Sequence, residues 1–372
     1  MRKNNVMGVV FSSVNEDLLP ELTINRSIAS VPFGGRYRII DFTLSNLVNA
    51  GISKVGVITK ENYQSLMDHI GSAKSWDLDR KHGGLYILPP YSNSLSHVYE
   101  GNVDALIGIR SFLSRSTEQY VVLYNANSVL NINLADMIDR HIQSAADITV
   151  AYRHGKMPLN HLDLMAFEFD SEKRVKKVRL YEKENPECDH SLGILVISRL
   201  LLLTLIDNAA AESKRVLSRD VIMPNVDNLV IKGYEFKGFS AIMDSAHTYV
   251  NASTHLLSGE VRKDLFNEER PIYTKIKDAM PTRYGIASSV GNSLIADGCI
   301  IEGTVKNSIL FRGVHVEKGA VVENAIIMQG SKIGAGAELK YVTIDKAASI
   351  GRGRTLCGAP SYYVFIKKGS SV

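Results

Sequence analysis

The stretch Leu310-Phe-Arg-Gly-Val-His-Val316-Glu-Lys-Gly-Ala-Val-Val322-Glu-Asn-Ala-Ile-Ile-Met328 sets Leu310, Val316, Val322 and Met328 six residues apart. The same spacing precedes it at Ile295 and Ile301. After a slip of one it resumes at Ile333 to Leu339 and at Ile344 to Ile350. Small residues lie between, in Asp297-Gly298, Glu302-Gly303, Lys318-Gly319 and Gly334-Ala335-Gly336. A helix would repeat at 3.6 and a sandwich strand at two, so neither explains the period. Six-residue repeats with small corner residues build a hexapeptide β-helix, in which each coil buries its inner face on the next.

Upstream the texture differs. Val6–Phe11, Val55–Thr59, Tyr120–Tyr124 and Ile148–Tyr152 are β-branched or aromatic runs of strand length, and Ser45–Ala50, Gly101–Leu113 and Leu134–Ala145 are spaced as helices. Strand and helix in alternation predict a mostly parallel sheet covered on both faces, with ligands at the carboxyl ends of its strands. At 372 residues the chain exceeds one ordinary core. The reading is therefore α/β: a Rossmann-like domain over 1–252, a connector over 253–289 and a left-handed hexapeptide β-helix over 290–372.

Composition narrows the function classes. The net charge of +4 is spread without a basic run, so nucleic acid is not an expected partner. No stretch approaches the roughly 18 apolar residues of a membrane span, so no membrane is expected either. The three cysteines, Cys188, Cys299 and Cys357, are far apart, which argues against both a disulfide framework and a metal cluster. A cytoplasmic protein is the expectation.

The segment Val31-Pro-Phe-Gly-Gly-Arg-Tyr-Arg-Ile-Ile-Asp-Phe-Thr-Leu-Ser-Asn46, continuing to Asn49-Ala-Gly-Ile52, closely resembles the signature of the glucose-1-phosphate adenylyltransferase family. Further resemblances are Tyr99-Glu-Gly-Asn-Val-Asp-Ala105, Tyr181-Glu-Lys183, Ser191-Leu-Gly-Ile194 and Arg270-Pro-Ile-Tyr-Thr274. Together they span nearly the whole chain and imply the same two-part layout. Plainer readings apply within the signature: Gly34-Gly35 shapes a turn, Arg38 and Asp41 form a buried structural pair, and Phe42, Leu44 and Leu47 are core.

The family's reaction joins ATP to glucose-1-phosphate, releasing pyrophosphate and ADP-glucose. It requires a phosphate cradle, carboxylates for Mg²⁺ and cations for the sugar phosphate. Where the resemblance implies a glycine- and arginine-rich loop, this chain has Ser13-Val-Asn15-Glu16-Asp17-Leu18-Leu19. Glycines that would let backbone N–H groups approach phosphate are missing, and Glu16 and Asp17 bring like charge. Each carboxylate at ~4 Å from a phosphate charge costs about 4 kcal/mol at an effective dielectric of about 20.

Asn127 and Ile242 fall at the family's two metal-aspartate positions, so no catalytic residue is assigned and no bound metal or cofactor is expected. A register slip of two would instead offer Asp244. Glu182 and Lys183 are the sugar-phosphate candidates that the resemblance implies, and Gly101 and Asp104 are remnants of nucleotide binding. Ile28 replaces a lysine linked to activator binding.

Such a chain resembles the non-catalytic, GlgD-type subunit that accompanies a catalytic one. The expected partners are therefore a catalytic paralogue that carries Mg²⁺, in a hetero-oligomer taken as a tetramer, and a phosphorylated small-molecule effector. The alternatives are a weak stand-alone adenylyltransferase, or a hexapeptide acyltransferase using His315 as base.

Overall fold

The computed structural model describes residues 5–13, 16–90, 99, 101–158, 164–181 and 184–372. The first domain is built on a nine-stranded mixed sheet. Its core is four parallel strands in the order Tyr120–Asn125, Val6–Phe11, Lys54–Ile58 and Gly84–Leu88. The long strand Glu187–Ser198 pairs antiparallel with Tyr120–Asn125 and extends the sheet to Ile148–Lys156 and Met165–Phe169.

Alternation along the strands divides the core. Val10, Val57, Val122 and Tyr124 face the helices Ile39–Asn49 and Leu134–Gln143. Met7, Val9, Val121 and Leu123 face the helices Asn102–Gly108 and Arg199–Ala211. Both faces are buried, which is why these strands read as continuous apolar runs.

The helix Ile39–Asn49 begins six residues before the 45–50 segment that its spacing suggested. Asp41 explains the early start, because its carboxylate accepts from the Arg38 backbone N–H at 3.0 Å and caps the first turn. Phe42, Leu44 and Leu47 are fully buried. Arg38 and Asp41 do not form the expected pair. The guanidinium donates to Ser65 at its carbonyl (2.5 Å) and hydroxyl (2.9 Å), and the partner of Asp41 is His69, at 2.5 Å.

The helices Ala246–His255 and Gly259–Leu265 lead to an extended stretch that is pinned to the first domain. The Asn49 side chain donates to the Pro271 carbonyl, and the Tyr273 N–H donates to Ser45. A left-handed parallel β-helix of three five-stranded sheets follows, its first strand being Arg283–Tyr284. Ile301, Val316, Ile333 and Ile350 stack in one inner column, and Val305, Val322, Leu339 and Leu356 in a second. The third runs Leu310, Ile327, Ile344 and Ile366. At the corners Gly319 has φ +72°, a conformation that side chains resist.

Met328 departs from the six-residue reading. The inner column takes Ile327, and Met328 faces outward into a cluster shared with the first domain. That cluster joins Ile309, Phe311, Ile326 and Met328 to Leu19, Leu22, Ile28, Phe33 and Phe42. Each such side chain contributes about 1.5–3 kcal/mol when taken out of water, so the β-helix is held by an apolar face. Within the same junction the buried Arg26 guanidinium meets Asp345 at 2.6 Å. No helix among the described residues is long and apolar enough to cross a membrane.

Candidate functional site

A cleft of about 410 Å³ opens at the carboxyl ends of Val6–Phe11, Lys54–Ile58 and Tyr120–Asn125. Separate stretches of the sequence converge there. Ser12, Ser13 and Asp17 come from the first loop, Thr59, Lys60 and Glu61 from the second, and Asn125 and Asn127 from the third. Tyr99, Gly101 and Ala105 form one side, and Ser191, Leu192, Gly193 and Ile194 the other.

Asn127 and Ile242 also meet in this cleft. The strands Ser128–Leu130 and Ser240–Ile242 pair antiparallel, with Ile242 opposite Ser128, and the Met243 N–H donates to the Asn127 carbonyl at 2.8 Å. Asp244 does not line the cleft. It is buried, and its carboxylate accepts from the hydroxyls of Ser245 and Thr248 where the Ala246–His255 helix begins. The pair that faces the cleft is thus a neutral amide and a side chain without a donor atom, which does not fit Mg²⁺. No cluster of three or more His, Cys, Asp or Glu side chains placed to hold a metal occurs among the described residues.

The electrostatics run against a triphosphate. Among the described lining residues Asp17 and Glu61 oppose the single cation Lys60. The turn Glu16–Leu18 supplies no glycine. Gly101 has a packing reason to be glycine, because a Cβ there would lie 2.1 Å from the Arg215 carbonyl oxygen. Asp104 sits half-buried in the first turn of Asn102–Gly108, and burial pushes its carboxyl above the usual range. It does not line the cleft. Glu182 and Lys183 lie outside the described residues. His315 is half-buried on the β-helix, its Nε2 3.9 Å from Glu302.

A second cavity, of about 290 Å³, lies between the domains. Arg36, Arg38, Lys275, Lys277, Arg312 and Lys346 line it, against Asp68 and His69. Two carboxylates nearby are already engaged: Asp345 with Arg26 and Asp297 with Arg312, the latter at 3.0 Å. Burial, with Arg38 and Arg26 close by, pushes the Lys346 ammonium down to about 7. Burial likewise lowers Arg38 to about 10. Ile28 is fully buried in the apolar junction.

Sequence reading missed this cavity, because its cations come from four distant stretches that form no linear cluster. The only local sign was the pair Arg36 and Arg38 beside the glycines.

Lys346 carries a stability consequence. The unfolded chain keeps this proton to higher pH than the folded chain does, so stability rises as pH goes from about 7 towards 10.5. Lys346→Met is expected to raise the urea midpoint at pH 7 and to flatten that rise. An unchanged pH profile would count against the buried charge.

Two family models match the chain: "Nucleotidyl transferase" over residues 17–187 and "GlmU-like, C-terminal hexapeptide" over 278–359. The glucose-1-phosphate adenylyltransferase of Geobacillus stearothermophilus is 34% identical over 335 residues, covering 86% of this chain and 84% of that protein. The chain belongs to the glucose-1-phosphate adenylyltransferase family. Two proteins named glycogen biosynthesis protein GlgD are also similar to it. That of Geobacillus stearothermophilus is 38% identical over 322 residues, and that of Bacillus subtilis (strain 168) 36% over 321. Each of these matches covers 86% of this chain and 83% of the relative. The motif residues Tyr99, Gly101, Ser191 and Gly193 therefore surround the cleft of a family member whose Asn127 and Ile242 bring no carboxylate to it.

Proposed function

We propose that this chain is a regulatory, catalytically impaired subunit of glucose-1-phosphate adenylyltransferase, working in glycogen biosynthesis in the cytoplasm. The observation that carries the reading is the meeting of Asn127 and Ile242 in one cleft whose described charges favour the anionic side. A carboxylate pair there would hold the cation that offsets phosphate charge in the transition state. This pair cannot, and Asp17 adds repulsion.

The scaffold around the cleft is intact, as are the β-helix and its apolar junction. An inert subunit acts through a partner, and the partner proposed is a catalytic paralogue that binds Mg²⁺, in a hetero-oligomer taken as a tetramer. The basic interdomain cavity suits a phosphorylated small-molecule effector, whose charge would relieve the crowding of Arg38 and Lys346. Coupling of this kind between sites is worth typically about 1–3 kcal/mol. Mixing the purified chain with a catalytic paralogue and measuring mass by light scattering tests the assembly. A mixed oligomer at micromolar concentration is expected, and two unchanged separate species would refute it.

A further inference from the structure

We propose that Lys346 is a reversible modification site, whose side-chain amine takes up carbon dioxide as a carbamate and so places an anion among the cations of the interdomain cavity. This goes beyond the regulatory reading and does not rest on it. Lys346 follows the strand Val342–Ile344 and lines the cavity from the β-helix side, with Arg38 from the first domain and Lys277 from the connector. Among the described residues its ammonium has no hydrogen-bond acceptor and no ion-pair partner. The charges acting on it are Arg38, Arg26 and Lys277 against Asp345, and the Asp345 carboxylate is engaged by Arg26 at 2.6 Å. His69 also feels it, but His69 is held by Asp41. On the remaining walls stand Arg36, Asp68, Lys275 and Arg312, the last held by Asp297. The cluster is short of acceptors: Arg26 is 2% exposed, and its Nη1 is buried with no acceptor among the described residues.

Only a neutral amine attacks carbon dioxide. Burial beside Arg38 and Arg26 lowers Lys346 to about 7, so much of it is neutral just above that pH. An ordinary lysine, at about 10.4, is neutral only about one time in a thousand at pH 7.4. The Nζ lone pair forms an N–C bond to the carbon of carbon dioxide, one C–O π bond opens onto oxygen, and a proton leaves Nζ for water. Nothing is oxidised or reduced. The product is a planar anion whose two oxygens accept from guanidinium donors such as Arg38. The cavity, at about 290 Å³, has room for the added carboxylate.

The test equilibrates the folded chain at about pH 7.5 with ¹³C-labelled carbon dioxide and observes it by carbon NMR. A resonance distinct from bicarbonate is expected in the wild type and is expected to vanish in Lys346→Arg. Trapping the wild type with triethyloxonium, then mapping its peptides by mass spectrometry, locates the adduct without any variant. Occupancy at Lys346 is expected to exceed that at the exposed Lys237 at least about tenfold. Because the modification needs the folded cavity, dissolved carbon dioxide at matched pH should raise the urea midpoint of the wild type and leave that of Lys346→Met unmoved. A resonance that persists in Lys346→Arg, an adduct no more abundant at Lys346 than at Lys237, or a wild-type midpoint indifferent to carbon dioxide would each overturn the proposal.

Discussion

The purified chain, given saturating Mg²⁺, ATP and glucose-1-phosphate, is expected to form ADP-glucose at least about a thousandfold more slowly than a catalytic relative. A thousandfold corresponds to about 4 kcal/mol of barrier. Loss of a metal's charge stabilisation alone accounts for several kcal/mol. The geometry puts Ile242, which has no donor atom, beside Asn127, and leaves Asp244 held by Ser245 and Thr248 outside the cleft. One repair should do little, because residues that act as a unit are strongly non-additive. Asn127→Asp restores one ligand but keeps Ile242 and Asp17. A coupled pyrophosphate-release assay checks both statements. Turnover within about tenfold of a catalytic relative, or a large gain from Asn127→Asp alone, contradicts them.

Asp345→Ala is expected to cost about 3–5 kcal/mol of stability, the usual cost of stranding one member of a buried ion pair. Arg26 and Asp345 are 3% and 6% exposed at their side chains, and one Arg26 guanidinium nitrogen has no hydrogen-bond partner among the described residues. Removing the carboxylate would leave that guanidinium buried beside Arg38 and Lys346. Asp345 also accepts from the Lys346 backbone N–H at 2.7 Å, so the corner of the β-helix loosens with it. Replacing both partners, as Arg26→Met with Asp345→Leu, should recover much of the loss. The exposed Arg110–Asp207 pair is the control, because solvent screens it and its removal should matter little. Urea unfolding measures all three. A loss below about 1 kcal/mol for Asp345→Ala would mean that the junction admits water.

The β-helix was legible because its signal is local and periodic: Ile301, Val316, Ile333 and Ile350 are spaced by the coil itself. Met328 was misplaced because a six-residue count cannot tell an inward residue from an outward one buried by another domain. Val6–Phe11, Lys54–Ile58 and Tyr120–Asn125 were legible within one or two residues, whereas Gly84–Leu88, Met165–Phe169 and Glu187–Ser198 were not read, and Ile148–Lys156 runs on past Tyr152. Its polar end, Arg153 to Lys156, is held by pairing with Glu187 to His190, more than 30 positions away in sequence. The start of the signature helix was missed because Asp41 caps it across three residues while also serving His69.

At the cleft, resemblance located Asn127 and Ile242, and only the antiparallel pairing of their strands brings them together. Of the basic cavity, the sequence showed only the pair Arg36 and Arg38. Lys346 and Arg38 are 308 positions apart, and the docking of two domains makes them neighbours.

The most direct test of the regulatory reading is a kinetic titration. A catalytic paralogue is assayed over a range of glucose-1-phosphate, alone and with an equimolar or excess amount of this chain. A shift in half-saturation or in effector response is expected, with total turnover still supplied by the paralogue. Linkage requires that glucose-1-phosphate tighten the mixed assembly by the same factor. Saturation curves that superimpose at every ratio, in samples where light scattering shows the two chains bound, would contradict the account.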